Sequence, residues 1–128
     1  MGCNLPPQEK VLEVDKKGRV LKTFDGQLTR KYDTLGNKIE FYGNVNYDDW
    51  VGCVHDKIFY NENNQETLRY SYKFEENDSL CLILDSLNYF EHRSYYSKSG
   101  KLIKRELYKP VRENGKIVGH KLSNTTNY

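Results

Sequence analysis

YDTLGNKIEFYG, residues 32–43, places an aromatic residue ahead of a Gly/Asn turn and follows the turn with alternating apolar and charged side chains. Alternation of period two belongs to a half-buried strand. A glycine between two such runs belongs to a tight hairpin loop, where the missing Cβ admits positive φ. The stretch therefore reads as strand, turn and strand, with Gly36 making the turn and Tyr32 packing across the strand pair.

Aligning the chain on its turns gives four further copies: VDKKGRVLKTF (14–24), YNENNQETLRY (60–70), YSKSGKLIKRE (96–106) and VRENGKIVGHK (111–121). Val14, Tyr32, Tyr60, Tyr96 and Val111 each stand four residues before Gly18, Gly36, Asn64, Gly100 and Gly115. Asn is the one substitute for Gly in that series, and it tolerates the left-handed region. Three residues beyond the turn come Leu21, Ile39, Thr67, Ile103 and Val118. The turn-to-turn spacings are 18, 28, 36 and 15 residues, too uneven for a strict solenoid. The pattern predicts a mainly β fold, an antiparallel meander of about five hairpins forming one open curved sheet or partial barrel. One face is expected to carry Leu21, Ile39, Phe41, Tyr60, Leu68, Leu82, Leu84, Tyr96, Ile103 and Val118. The other is expected to be charged, although a slip of one residue exchanges the faces.

Composition agrees with β structure. The 128 residues contain no Ala, the strongest helix former, and 11 Tyr, which suits a pleated and half-buried surface. That length fits one domain with a modest core. The expected organisation is a tether at 1–10, a single hairpin domain at 11–122 and a frayed, polar end at 123–128. In 79–96, Leu80, Ile83, Leu84, Leu87 and Phe90 fit helical spacing, while LCLIL also fits a buried strand, and the β-like flanks favour strand. No apolar run is long enough for a transmembrane helix.

Net charge is only +2, which argues against nucleic acid as a partner, but the charge is segregated along the chain. Residues 1–39 carry 8 basic and 5 acidic side chains, residues 40–92 carry 3 and 11, and residues 93–128 carry 9 and 2. Such asymmetry suits a charged partner surface, because complementary fields steer association.

The phrase Y-D-x-x-G-N-x-I at 32–39, with looser versions at 60–68 and 96–103, resembles the YD or RHS-type repeat unit. Degenerate forms of that unit occur in small lipoproteins of Bacteroidetes-like bacteria. The third copy lacks the Gly and the outer two lack the Tyr. The resemblance implies a sheet of β-hairpins in an envelope protein, and no catalytic residues carry over from it.

The start, MGCNLPPQEK, fits the same setting. A myristoylation signal at Gly2 needs Ser or Thr at position six, where Pro6 stands. Cys3 followed by a short polar, proline-containing tether instead reads as a lipid anchor, with Met1 and Gly2 in place of a removed signal peptide. Cys53 and Cys81 then remain as an even pair. A disulfide between them and two buried free thiols both fit. The absence of a CxxC pair excludes zinc-ribbon and thioredoxin readings.

NYDDWVGCVHDKIF (46–59) collects the single Trp, a Cys, a His and three Asp. A thiol nucleophile needs a base within hydrogen-bond reach and a third group to orient the base. Cys53 and His55 share a strand face but stand in parallel, and no Gly-rich oxyanion loop accompanies them. The same residues supply at most three metal ligands at non-standard spacing. Glu75, Glu76 and Asp78 have the composition of a turn rather than of an acid–base pair. Neither a catalytic site, a metal site nor a cofactor is expected.

The functional expectation is a non-enzymatic, lipid-anchored protein of the bacterial cell envelope that binds another macromolecule. Its most concrete form is a toxin-neutralising (immunity) protein. Partner contacts are expected from the acidic middle and the basic end: Asp48, Asp49, Trp50, Asp56, Glu62 and Glu66, with Lys101, Lys104 and Arg105. The alternative is a glycan-binding surface module using exposed Tyr and Trp50.

Overall fold

The computed structural model describes residues 9–47, 50–72 and 86–128. They form nine strands: β1 (Lys10–Val14), β2 (Val20–Phe24), β3 (Leu28–Tyr32), β4 (Lys38–Tyr47), β5 (Trp50–Tyr60), β6 (Glu66–Tyr72), β7 (Tyr89–Tyr96), β8 (Leu102–Glu113) and β9 (Lys116–Asn127). The strands lie in chain order in one open antiparallel sheet, as the hairpin pattern predicts, and the sheet does not close. Among the described residues there is no helix.

Four hairpins share one turn, led by Asp15, Asp33, Asn61 and Ser97. In each, the first residue's N–H donates to the carbonyl four residues on, at 2.8–3.0 Å. The N–H of Gly18, Gly36, Asn64 or Gly100 donates back to that first residue's carbonyl, at 2.9–3.2 Å. These four residues have φ of +79°, +86°, +59° and +87°. The leading side chain completes the turn. Asp33 Oδ1 accepts from the Leu35 and Asn37 N–H groups, and Asn61 Oδ1 accepts from those of Asn63 and Gln65. A type I turn followed by a left-handed residue and a bulge produces this geometry.

The bulge decides which residues face where. Register skips Leu21, Ile39, Thr67 and Ile103, so each is the extra residue of its hairpin. This corrects the expected core. Ile39, Ile103 and Val118 are 36%, 43% and 57% exposed. Val118 is likewise skipped, in the pairing of β8 with β9. Among the described residues the buried hydrophobic side chains are Val45, Ile58 and Ile117, and Val45 is buried most fully. Leu82 and Leu84 lie outside the described residues.

Two further connections complete the meander. Asp25–Leu28 is a two-residue turn in which Asp25 Oδ1 accepts from the Gln27 and Leu28 N–H groups. The pairing of Tyr47 with Trp50 joins β4 to β5 through positions 48–49. Of the stretch at 79–96, Tyr89–Tyr96 is strand, and 79–85 lies outside the described residues. The chain end, expected to fray, is strand through Asn127, and the Tyr128 N–H donates to the Ile103 carbonyl. The length of β8 explains this, because Lys104–Leu107 offer backbone partners to Asn124–Asn127.

Candidate functional site

Cross-strand pairs share a face, so the register sorts every described side chain. On one face the row Lys31, Glu40, Lys57, Tyr70, Glu91, Tyr108 crosses six strands. Beside it runs a band of rings. Tyr42 stacks on His55 with centroids 5.0 Å apart, His55 meets Tyr72 edge-on, and Tyr72 meets Tyr89. Tyr89 in turn stacks on His120 of β9, at 4.2 Å. His55 Nε2 donates to Glu40 Oε2 at 2.5 Å. Burial opposes ionisation of Glu40, but the His55 hydrogen bond and the charge of Lys31 outweigh it and hold the carboxyl below its usual range. Two of these contacts are face to face and two are edge to face.

The opposite face carries the row Arg30, Phe41, Asp56, Ser71, Phe90 and, one step along, Ile58, Arg69, His92, Leu107. Arg69 is the hub: its guanidinium reaches Glu66 at 2.7 Å and Asp56 at 3.5 Å. Burial is the largest influence on Asp56 and raises its carboxyl, against the Ser71 hydrogen bond and the Arg69 charge. Burial likewise lowers the His92 imidazole. Phe41 lies beneath the Arg69 guanidinium, 6.0 Å from ring centroid to Cζ.

The expected contact residues therefore separate. Asp56 and Glu66 meet on Arg69 and are committed within the sheet. Glu62 is exposed in the β5–β6 turn. Trp50 opens β5. Asp48, Asp49 and Cys3 lie outside the described residues. Lys101 is exposed in the β7–β8 turn, and Arg105 is exposed on β8. Lys104, on the other face from Arg105, places its ammonium 4.5 Å from the Tyr95 ring centroid.

Charge is matched very differently in the two expected regions. Glu40, Asp56, Glu66 and Glu91 each have a basic partner. Lys98, Lys101, Arg105, Arg112, Lys116 and Lys121 are exposed and have no ion pair among the described residues. Lys109 and Lys121 stand directly opposite each other across β8 and β9. Like charges so placed are destabilising unless something neutralises them.

Cys53 is disulfide-bonded, and Cys3 and Cys81 lie outside the described residues. Sulfur in a disulfide is neither a thiolate nucleophile nor a metal ligand. Among the described residues, no group of three or more His, Cys, Asp or Glu side chains is placed to hold a metal ion. The Arg69 hub and the Glu40–His55 pair were not singled out from the sequence. Both follow from period-two pairing once the bulge is placed. No family model matches the chain, and no curated protein or solved structure matches it.

Proposed function

We propose that the protein works by binding another protein through the cationic end of its sheet, as a lipid-anchored envelope protein that neutralises a toxin. The open sheet is the observation that carries the binding role. All nine described strands lie in that one sheet, and Ile103, Val118 and Leu122 of the last hairpin stay exposed beside its cations. Exposed apolar side chains rimmed by charge suit a protein interface.

Charge selects the end. Glu40, Asp56, Glu66 and Glu91 are neutralised in place, while the exposed cations of β8, β9 and the β7–β8 turn have no ion pair among the described residues, so an acidic partner surface gains most there. The anchor itself rests on the sequence, Cys3 followed by NLPPQEK.

The test is affinity capture with the tagged protein, using envelope and secreted fractions of its own and neighbouring bacteria. One stoichiometric protein partner is expected, with affinity falling as salt rises. Charge reversal of Lys101, Lys104 and Arg105 together should weaken it at least tenfold. Capture of polysaccharide alone, indifferent to that reversal, would move the protein to the glycan-binding class.

A further inference from the structure

β9 ends the sheet, and its outer edge has no partner among the described residues. The strand is 12 residues long, and its final seven residues, through Asn127, are exposed. Every second N–H and C=O along such an edge points away from the sheet and can pair with another strand. Proteins guard such edges with lysines and bulges, and β9 carries both. Lys116 and Lys121 lie on it, and the register skips Val118 and Ser123.

These guards act selectively. A second β9 brought alongside doubles the cations at the junction. The other open edge, β1, also belongs to a basic third of the chain, with 8 basic and 5 acidic side chains in residues 1–39. Both self-pairings bring positive charge against positive charge. An acidic strand meets the opposite situation. Lys109 and Lys121 repel each other across the β8–β9 ladder, and Arg105 lies on the same face. Carboxylates alternating along an added strand relieve that repulsion, while the backbone ladder supplies sequence-independent affinity.

Resting on the binding role proposed above, we infer that β9 is a docking edge for an extended acidic segment of the partner protein, which adds to the sheet as a tenth strand. The two straight runs, Gly119–Leu122 and Asn124–Asn127, are the pairing positions. Six to eight residues of partner, about 20–27 Å of extended chain, cover them.

The test uses a blocked octapeptide of alternating Thr and Glu, with amide hydrogen exchange of the full chain read by NMR. Exchange of outward N–H groups within Gly119–Asn127 should slow at least tenfold. The double variant K116E/K121E should bind the peptide at least tenfold more weakly while keeping the dispersed spectrum of the folded sheet. A control peptide with Pro in place of each Thr keeps the charge but lacks half the donors, and it should protect nothing.

Equal binding of the Pro peptide, or binding of the Thr/Glu peptide without β9 protection, would overturn strand addition in favour of simple charge attraction. Equal protection of β9 by a heparin fragment would overturn it in favour of a polyanion site. Protection that rises with protein concentration, without peptide, would assign the edge to a second copy. An unprotected β9 beside a salt-sensitive, one-to-one protein partner would sink the docking edge alone and leave the binding role standing. A protected β9 in a chain that captures only polysaccharide would sink the neutralising role alone.

Discussion

The hairpins from β3 to β8 and the final hairpin, β8–β9, are built from the same element and fastened in opposite ways. In the interior, each turn grips the next. The Tyr60 hydroxyl donates to the Lys38 carbonyl and the Tyr96 hydroxyl to the Glu66 carbonyl, both at 2.7 Å. Asn37 Nδ2 donates to Asn64 Oδ1, and Gln65 Nε2 donates to the Gly100 carbonyl. The β8–β9 hairpin turns at the other end of the sheet, through Asn114 and Gly115 at φ of +52° and +78°. That is the two-residue turn typical of a free-standing hairpin. Among the described residues no other hairpin stacks beyond it, and its cations have no ion pair. Stapled turns hold the sheet in register, whereas the last hairpin leaves its edge and its charge available.

Glycine substitution should break the comparison most sharply. A Cβ on Gly43 would meet the Gln27 carbonyl oxygen at 2.0 Å, whereas one on Gly119 meets nothing within 4 Å. Gly43→Ala should therefore cost about 3 kcal/mol, since backbone must move. Gly119→Ala should lie within about 0.5 kcal/mol of neutral, or stabilise slightly through the unfolded chain. Urea unfolding of both variants checks the pair, and equal losses would contradict the contrast.

The staples come next. Tyr60→Phe and Tyr96→Phe should each cost about 1 kcal/mol, the worth of a half-buried hydrogen bond whose carbonyl partner is left behind. Tyr95→Phe loses an exposed hydroxyl contact to Glu106 and should leave the thermal midpoint within a degree or so, about 0.2 kcal/mol.

An effect confined to acid pH belongs to the β2–β3 turn at the far end. Burial opposes ionisation of Asp25, but the Leu28 N–H, the Arg30 guanidinium and the Gln27 N–H outweigh it and bring the carboxyl to about 2. A folded-state value below the unfolded 3.8 contributes stability that is complete above the unfolded value. That contribution is lost as pH falls from about 4 to about 2. Discounted for solvent screening, it is about 1 kcal/mol or less. Asp25→Asn keeps an acceptor for the turn but does not titrate, so its acid-unfolding curve should lack this part of the slope.

Turns were legible in the chain because their chemistry is local. Gly18, Gly36, Asn64, Gly100 and Gly115 all take positive φ, and an Asp, Asn or Ser three residues earlier caps four of those turns. Faces were not legible, because a bulge displaces one residue and the sequence does not mark which. Leu21, Ile39 and Ile103 look like core residues by type, yet the register passes over them. The Asp25-Gly26 dipeptide is itself a strong hairpin signal, but it lies outside the longer repeat, just past the copy at 14–24. At the candidate site, the cations of β8 and β9 were visible as composition. The neutralisation of Asp56 and Glu66 was not, because Arg69 reaches both only after β5 and β6 are paired.

The described strands make substantial contact only with their immediate neighbours in the chain. Stability in such a chain is close to a sum of nearest-neighbour terms, as in a linear array of coupled switches. Melting then proceeds as fraying from either terminus rather than as the collapse of a central nucleus, and the array lengthens or shortens by whole hairpins. A tenth strand added at β9 would act on such an array as an end-cap, damping the fraying where it starts.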